Sequence, residues 1–269
     1  PDVLSQIEIQ NGLDTKFLGK KILHYDSVSS TNDLAKEWAL KREEEGLVII
    51  GEEQVKGRGR RGRTWESPKG TGIWMSILLR PDIDPKDGPK FTLLSAVAVT
   101  KAIREVTGIG AKIKWPNDII IDNKKVCGIL TEMNAEIDFI NYVIIGIGIN
   151  VNGKKEDFPE EVQDRAISLS QVKGQLVSRK DLVRRILKKI EDYYFQFIQA
   201  MDFMGILEEW KSLSCNLGKE VRATIKGKEI IGLAIDINKD GSLLLKKNDG
   251  EIVEVIYGDV RVRGIDDYI

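Results

Sequence analysis

The chain has 269 residues, enough for one large or two modest domains with a full hydrophobic core. Charged residues make up 31% of it, but the signs cancel to a formal net charge of −1, so any strongly basic stretch is a local feature and not the footprint of a general polyanion binder. Two cysteines without CxxC spacing, a single histidine (His24) and no run of about 20 apolar residues argue against a disulfide framework, a histidine-based triad, a multi-histidine metal site and a membrane-spanning helix. A reducing cytoplasm is the expected location, with no membrane partner.

Residues 1–18 read as a linker with a short helical turn. A short strand follows at 20–25, and SSTND at 29–33 offers N-cap residues for an amphipathic helix that should stop at Gly46. LVIIGEE (47–53) is a buried strand that delivers the chain to QVKGRGRRGRTW at 54–65. There Lys56, Arg58, Arg60, Arg61 and Arg63 alternate with Gly57, Gly59 and Gly62. Arginine at that density repels itself, so the loop should stay mobile until an anion neutralises it. Its glycines let backbone N–H groups approach a phosphate or carboxylate closely.

TGIWMSILLR (71–80) is the next strand and residues 90–107 an apolar helix ending at Gly108. Strands at 111–115 and 119–121 flank Pro116-Asn117-Asp118. Asp122-Asn123 is a hairpin turn into a strand at 124–135, and residues 139–152 form the last core strand. A helical region follows, best defined at 179–200. From Leu217 several short alternating strands, with turns at Lys226-Gly227, Asp240-Gly241 and Asp249-Gly250, carry the signature of a small barrel.

Three segments join polar residues to abrupt glycine or proline breaks beside buried strands: Ser30-Thr31-Asn32, the basic loop, and Lys114-Trp115-Pro116-Asn117-Asp118. Each has a plain structural reading, as a helix cap, a solvated loop and a surface turn. GIGIN at 146–150 lacks the third glycine and the immediate helix of a dinucleotide fingerprint, so a Rossmann assignment fails. From the residues alone, the basic loop suits either a nucleic acid or a small anionic ligand that it closes over.

In combination and in this order, SSTN, GRGRRGRTW, KWPND, GIGIN and a C-terminal barrel closely resemble the biotin protein ligases, over residues 20–263. The resemblance implies an α/β (α+β) fold: an SH2-like mixed β-sheet catalytic domain flanked by helices at 19–215, then a small SH3-like β-barrel at 216–269, after a linker remnant at 1–18. It implies an AMP-forming ligase that uses ATP, biotin and Mg²⁺, makes biotinyl-5′-AMP and pyrophosphate, and transfers biotin to one lysine of a biotin carboxyl carrier domain. A homodimer is also implied. Many members carry an N-terminal DNA-binding domain and double as repressors. No stretch here resembles that domain, and residues 216–269 hold 9 basic against 10 acidic side chains, so DNA is not expected as a partner of this chain.

Carried over position by position, the resemblance makes Lys114 and Arg60 catalytic. It assigns biotin to Ser30, Thr31, Asn32, Gln54, Arg58, Gly59, Arg60, Lys114, Gly128 and Gly148. It assigns ATP to Arg58, Arg60, Arg63, Trp65, Lys114, Asn117, Asn150 and Arg263, with no residue assigned to a metal. The chemistry agrees, because joining a carboxylate to ATP gathers several negative charges that arginines and a lysine must offset. A lipoate protein ligase is the nearest enzyme alternative. A regulatory module that places the arginine loop on nucleic-acid phosphates is the alternative of another class.

Overall fold

The structure, a computed structural model, describes residues 2–225, 227–256 and 260–264, without the side chains of 260 and 261. Lys226, half of one expected turn, lies outside them. In chain order the elements are α1 (Gln6–Gln10), β1 (Ile22–Tyr25), α2 (Thr31–Leu40), β2 (Val48–Gly51), β3 (Gly72–Leu79), α3 (Lys90–Thr107), β4 (Lys112–Lys114), β5 (Asp118–Ile121), β6 (Lys124–Ala135) and β7 (Ile140–Asn150). There follow α4 (Leu169–Lys173), α5 (Arg179–Ile198), α6 (Phe203–Leu213), β8 (Glu220–Ile225), β9 (Lys228–Ile237), β10 (Leu243–Lys246), β11 (Ile252–Val255) and β12 (Val260–Gly264).

Seven strands form one mixed sheet in the order β1-β2-β3-β7-β6-β5-β4, with β1 and β2 parallel and every other pair antiparallel. The five C-terminal strands form an antiparallel sheet, β11-β10-β9-β8-β12. The expected mixed sheet followed by a small all-β unit is borne out. The Asp122-Asn123 turn holds both residues at positive φ, 48° and 61°, as a tight two-residue hairpin requires.

Strand periodicity sorts the central strands into two faces. On β7, Val143, Ile145, Ile147 and Ile149 enter the main core beneath α3, α5 and α6. The alternate positions Gly146, Gly148 and Asn150 therefore face the other way. On β3, Ile73, Met75, Ile77 and Leu79 join the same core, while Leu78 packs with Ala35 and Ala39 of α2 on the opposite face. All eight residues of β3 are buried, because helices cover both sides of the sheet.

Residues 2–18 are packed against the sheet domain. Leu4, Ile9 and Leu18 are fully buried in the main core, and the Glu191 carboxylate accepts the backbone N–H groups of Lys16, Phe17 and Leu18 at 2.6, 2.8 and 3.0 Å. The C-terminal sheet docks through Trp115, whose backbone N–H donates to Asn216 Oδ1 at 2.7 Å and whose indole N–H donates to the Gly241 carbonyl at 3.0 Å. The segment after β7, read as broadly helical, instead makes two 3-10 turns at Lys155–Asp157 and Glu160–Val162 before α4. α6 lies in the same region read as helical, where the sequence reading set no separate limits for it.

Candidate active site

A cavity of about 770 Å³ lies where α2 begins, β6 and β7 expose their glycines, and the basic loop crosses over. Every residue singled out from the sequence lines it: Ser30, Thr31, Asn32, Gln54, Arg58, Gly59, Arg60, Arg63, Trp65, Lys114, Asn117, Gly128, Gly148, Asn150 and Arg263. Positions separated by more than 200 residues thus meet in one volume.

One end is polar and closed. Ser30, Thr31 and Asn32 are buried at the N-terminus of α2. The capping reading of SSTN is met in part, since Ser30 is the N-cap residue yet its side chain makes no capping bond. Gln54 does that work from the loop: its Oε1 accepts the Thr31 backbone N–H at 2.9 Å, satisfying a donor that the helix leaves open. Gln54 Nε2 donates to Ser67 Oγ at 2.9 Å. Asn32 lies over Gly146, where any Cβ would collide with its amide, so a glycine is required there.

The basic loop is hairpin-like. Gln54 bridges Ser67, Arg58 bridges Thr64, and the tip is a 3-10 turn at Arg60–Gly62 with Arg61 at φ 59°. The expected self-repulsion is offset within the chain. Arg58 pairs with Asp33 and with Glu132 (3.2 Å), and Arg60 Nη1 donates to Asn117 Oδ1 at 3.0 Å. Internal carboxylates and an amide therefore supply part of the neutralisation that the sequence reading assigned to a bound anion. Asn117 Nδ2 donates to the Ile129 carbonyl at 2.8 Å, so both ends of this amide are engaged.

Lys114 is buried at the centre. Burial lowers its ammonium from 10.5 to about 8; Asp118 opposes that shift, while Lys125 and Arg263 add to it by repulsion. The C-terminal sheet thus contributes charge to the site through Arg263. A lysine held in this way gains most from an incoming anion.

Trp65, assigned to ATP by the resemblance, packs its ring against the sheet. Its indole lies over the cross-strand pair Gly128 and Gly148, and Lys125, paired with Asp118 at 2.7 Å, stands over the ring at 5.0 Å. The Trp65 Nε1 is buried and makes no hydrogen bond, leaving a donor unmet at the cavity wall.

Phe158, Pro159, Glu161, Val162 and Arg165 also line the cavity, and the sequence reading missed them. Only the abrupt end of β7 at Asn150 signalled that this irregular segment would fold back. Among the described residues no group of three or more His, Cys, Asp or Glu side chains could cage a metal. The oxygens of Asp118 and Asn150 on the cavity wall fit Mg²⁺ held mainly by substrate phosphates, since that ion takes few protein ligands in such sites, whereas the Asn117 oxygen is engaged by Arg60.

Residues 25–150 match the biotin/lipoate A/B protein ligase family, and residues 217–263 match the biotin protein ligase C-terminal domain. The bifunctional ligase/repressor BirA of Bacillus subtilis is 42% identical over 97% of this chain and 80% of its own length. The biotin–[acetyl-CoA-carboxylase] ligase of Mycobacterium tuberculosis is 30% identical over 86% of this chain and 85% of its own. The biotin protein ligase of Aquifex aeolicus, solved in complex with biotin and ATP, superposes with a TM-score of 0.79 at 31% identity, covering 91% of this chain and 99% of that one. With its catalytic and C-terminal units both matched, the chain belongs to the biotin protein ligase family.

Proposed function

We propose that this cavity joins biotin to ATP and hands biotin to a carrier lysine, with Lys114 and Arg60 as its catalytic groups. The observation that carries the proposal is the placement of one buried, pKa-depressed lysine between a polar closed end and an arginine-rich cover. Biotin's bicyclic ring occupies the closed end at Ser30, Thr31, Asn32 and Gln54. Its valeryl chain passes the Trp65 indole that covers Gly128 and Gly148, which leaves the carboxylate at Lys114.

The biotin carboxylate oxygen attacks the α-phosphorus of ATP, and the bond to the departing pyrophosphate breaks. Lys114 and Arg60 neutralise charge on the carboxylate and α-phosphate, while Arg63 and Arg263 face the remaining phosphates and Arg58, paired with Asp33 and Glu132, stays at the biotin end. Trp65, Asn117 and Asn150 belong to the nucleotide end. Mg²⁺ supplies charge neutralisation on the phosphates when bound. No protein nucleophile is needed, so catalysis consists of alignment, charge stabilisation and exclusion of water from a labile mixed anhydride. In the second step the carrier lysine amine attacks the biotinyl carbonyl, AMP leaves, and the amine loses a proton.

The domain limits 19–215 and 216–269 follow the change from mixed sheet to antiparallel sheet, with residues 2–18 forming a strap on the first unit. Beyond Ile129 the outer edge of β6 has no strand beside it among the described residues, which suits either a second copy of the chain or the carrier domain. Among the described residues no helix is long and apolar enough to cross a membrane, consistent with the proposed cytoplasmic site of action. DNA is not proposed as a partner, since the loop arginine Arg58 already turns inward to carboxylates.

The test is transfer to a recombinant biotin carboxyl carrier domain, read by intact mass. A single biotinyl addition on one lysine, dependent on both biotin and Mg·ATP, is expected. Pyrophosphate should also be released without the carrier. Lipoyl addition in preference to biotinyl addition would overturn the assignment in favour of the lipoate ligases.

A further inference from the structure

We propose that Glu132, through Asn32 and Ser76, sets the hydrogen-bond polarity of the closed end of the cavity and so makes it selective for a ligand that brings N–H donors. The inference rests on reading that end as the biotin-ring site. Neither Glu132 nor Ser76 was among the residues expected from the sequence.

Glu132 sits on the cavity face of β6, with Lys36 (2.6 Å) and Arg58 (3.2 Å) on Oε1 and Asn32 Nδ2 (2.8 Å) on Oε2. Burial would raise its carboxyl. The hydrogen bonds from Lys36 and Asn32 and the charges of Lys36 and Arg58 outweigh burial and hold it below the ordinary value. An ionised carboxylate only accepts, so it admits the Asn32 amide with its nitrogen forward and rejects the flipped form. The second Asn32 N–H goes to the Leu130 carbonyl at 3.3 Å.

Asn32 Oδ1 is thereby fixed 2.6 Å from Ser76 Oγ, which is fully buried on β3. An amide oxygen cannot donate, so Ser76 commits its only proton there. Ser76 Oγ also lies 2.7 Å from Thr31 Oγ1. Thr31 Oγ1 in turn donates to Gln54 Oε1 at 3.1 Å, an oxygen already fixed as an acceptor by the Thr31 backbone N–H, so the Thr31 proton is spent as well. Gln54 Nε2 is tied to Ser67 Oγ, whose proton goes to the Trp65 carbonyl at 3.0 Å.

The outcome is a set of three oxygens, Thr31 Oγ1, Asn32 Oδ1 and Gln54 Oε1, with lone pairs and no proton to spare. Such a surface matches the two N–H groups of a cyclic urea and disfavours a ligand end that offers none. Ser30, whose hydroxyl is not used in capping, remains as a donor for the urea carbonyl. Glu132 and Ser76 are positioning residues in this scheme, because they act through Asn32 and Thr31.

The experiment compares biotin with an analogue methylated on one ureido nitrogen, which lacks one donor, by calorimetric binding to the whole chain. The parent should favour biotin by at least about 100-fold. Glu132→Gln keeps the shape but can donate, so Asn32 is free to flip, and the preference should fall roughly tenfold or more. Ser76→Ala changes no charge and leaves Glu132 on Asn32 but removes the donor that holds Asn32 Oδ1, so it should produce a smaller loss in the same direction and carries the test if Glu132→Gln does not fold. Asp33→Asn removes the other carboxylate on Arg58 without touching Asn32 and should leave the preference intact. Unchanged preference in Ser76→Ala and Glu132→Gln, or an equal loss in Asp33→Asn, overturns the inference. A parent that binds neither compound overturns the underlying reading of the site instead.

Discussion

Arg60 Nη1 donates to Asn117 Oδ1 at 3.0 Å, which ties the tip of the basic loop to the KWPND turn 57 positions away. The loop that covers the cavity is therefore joined directly to the segment that presents Lys114. Asn117→Ala should let enzyme-bound biotinyl-AMP escape about tenfold faster, the worth of one hydrogen bond to a charged group. Removal of Arg60 itself should have a larger effect in the same direction. The readout is promiscuous biotinylation of a bystander protein, together with the decay of isolated enzyme–adenylate complex. Parent-like retention in Asn117→Ala would mean that the loop closes without this bond.

Lys114 carries the pH dependence. Its ammonium is depressed to about 8, so it is mostly charged at neutral pH and loses its charge as pH rises through that value. The kcat/KM for biotin should be flat below about 8 and fall tenfold per unit above it. Lys114→Ala should slow adenylate formation by about 10²–10³-fold while leaving carrier affinity unchanged. Stability has the opposite sign. The unfolded chain binds more protons between about 8 and 10.5, so stability rises with pH across that window. Lys114→Met should correspondingly raise neutral-pH stability by up to roughly 3 kcal/mol. An adenylation rate in Lys114→Ala equal to the parent's would remove the assigned role.

Much of this was legible in the sequence because the strands and the motifs obey short-range rules. Strand limits at 124–135 and helix limits at 90–107 coincide with the observed elements, since Asp122-Asn123 and Gly108 are unambiguous stops. Convergence of the expected site residues follows from motifs that sit at strand ends and helix starts. What stayed hidden depends on long-range pairing. Glu132 and Ser76 sit inside ordinary strand patterns, and only the register of β3, β6 and β7 turns them toward Asn32. The packing of residues 2–18 was hidden for the same reason: its anchors, Glu52, Arg179 and Glu191, lie far away in sequence.

The Trp65 indole depends on the bareness of Gly148. A Cβ at Gly148 would come within 2.5 Å of Nε1 and 2.7 Å of Cε2. Gly148→Ala should therefore displace the ring and cost about 1–3 kcal/mol, as overpacking does elsewhere. In a Trp65→Ala background the same substitution should cost almost nothing. The non-additivity in thermal unfolding checks the contact, and the KM for ATP in the single variant checks whether the ring also serves the nucleotide. Additive penalties would show that the two residues are independent.

The buried pair of Arg179 and Glu52 governs acid stability and links the N-terminal strap to the site. Arg179 Nη1 donates to Glu52 Oε2 at 2.8 Å and to the Gly72 carbonyl at 3.0 Å, and its Nε donates to Asp2 at 3.1 Å. Burial alone would raise the Glu52 carboxyl, but the Leu4 N–H, the Arg179 hydrogen bond and charge, and the His24 hydrogen bond hold it below 4.5. A depressed carboxyl contributes stability above its unfolded value that is lost as pH falls through the folded one. Arg179→Met leaves Glu52 buried without its cation and should cost about 3–5 kcal/mol. That loss should shrink as pH falls and Glu52 takes up a proton, because the uncompensated charge then disappears. Adding Glu52→Gln should recover part of that loss, because no unpaired charge then remains. Glu52 lies two positions before Gln54, so the single variant should also raise the KM for biotin at temperatures where the fold persists. A stability loss of the same size at neutral and acid pH would show that Glu52 is not the group whose charge Arg179 offsets.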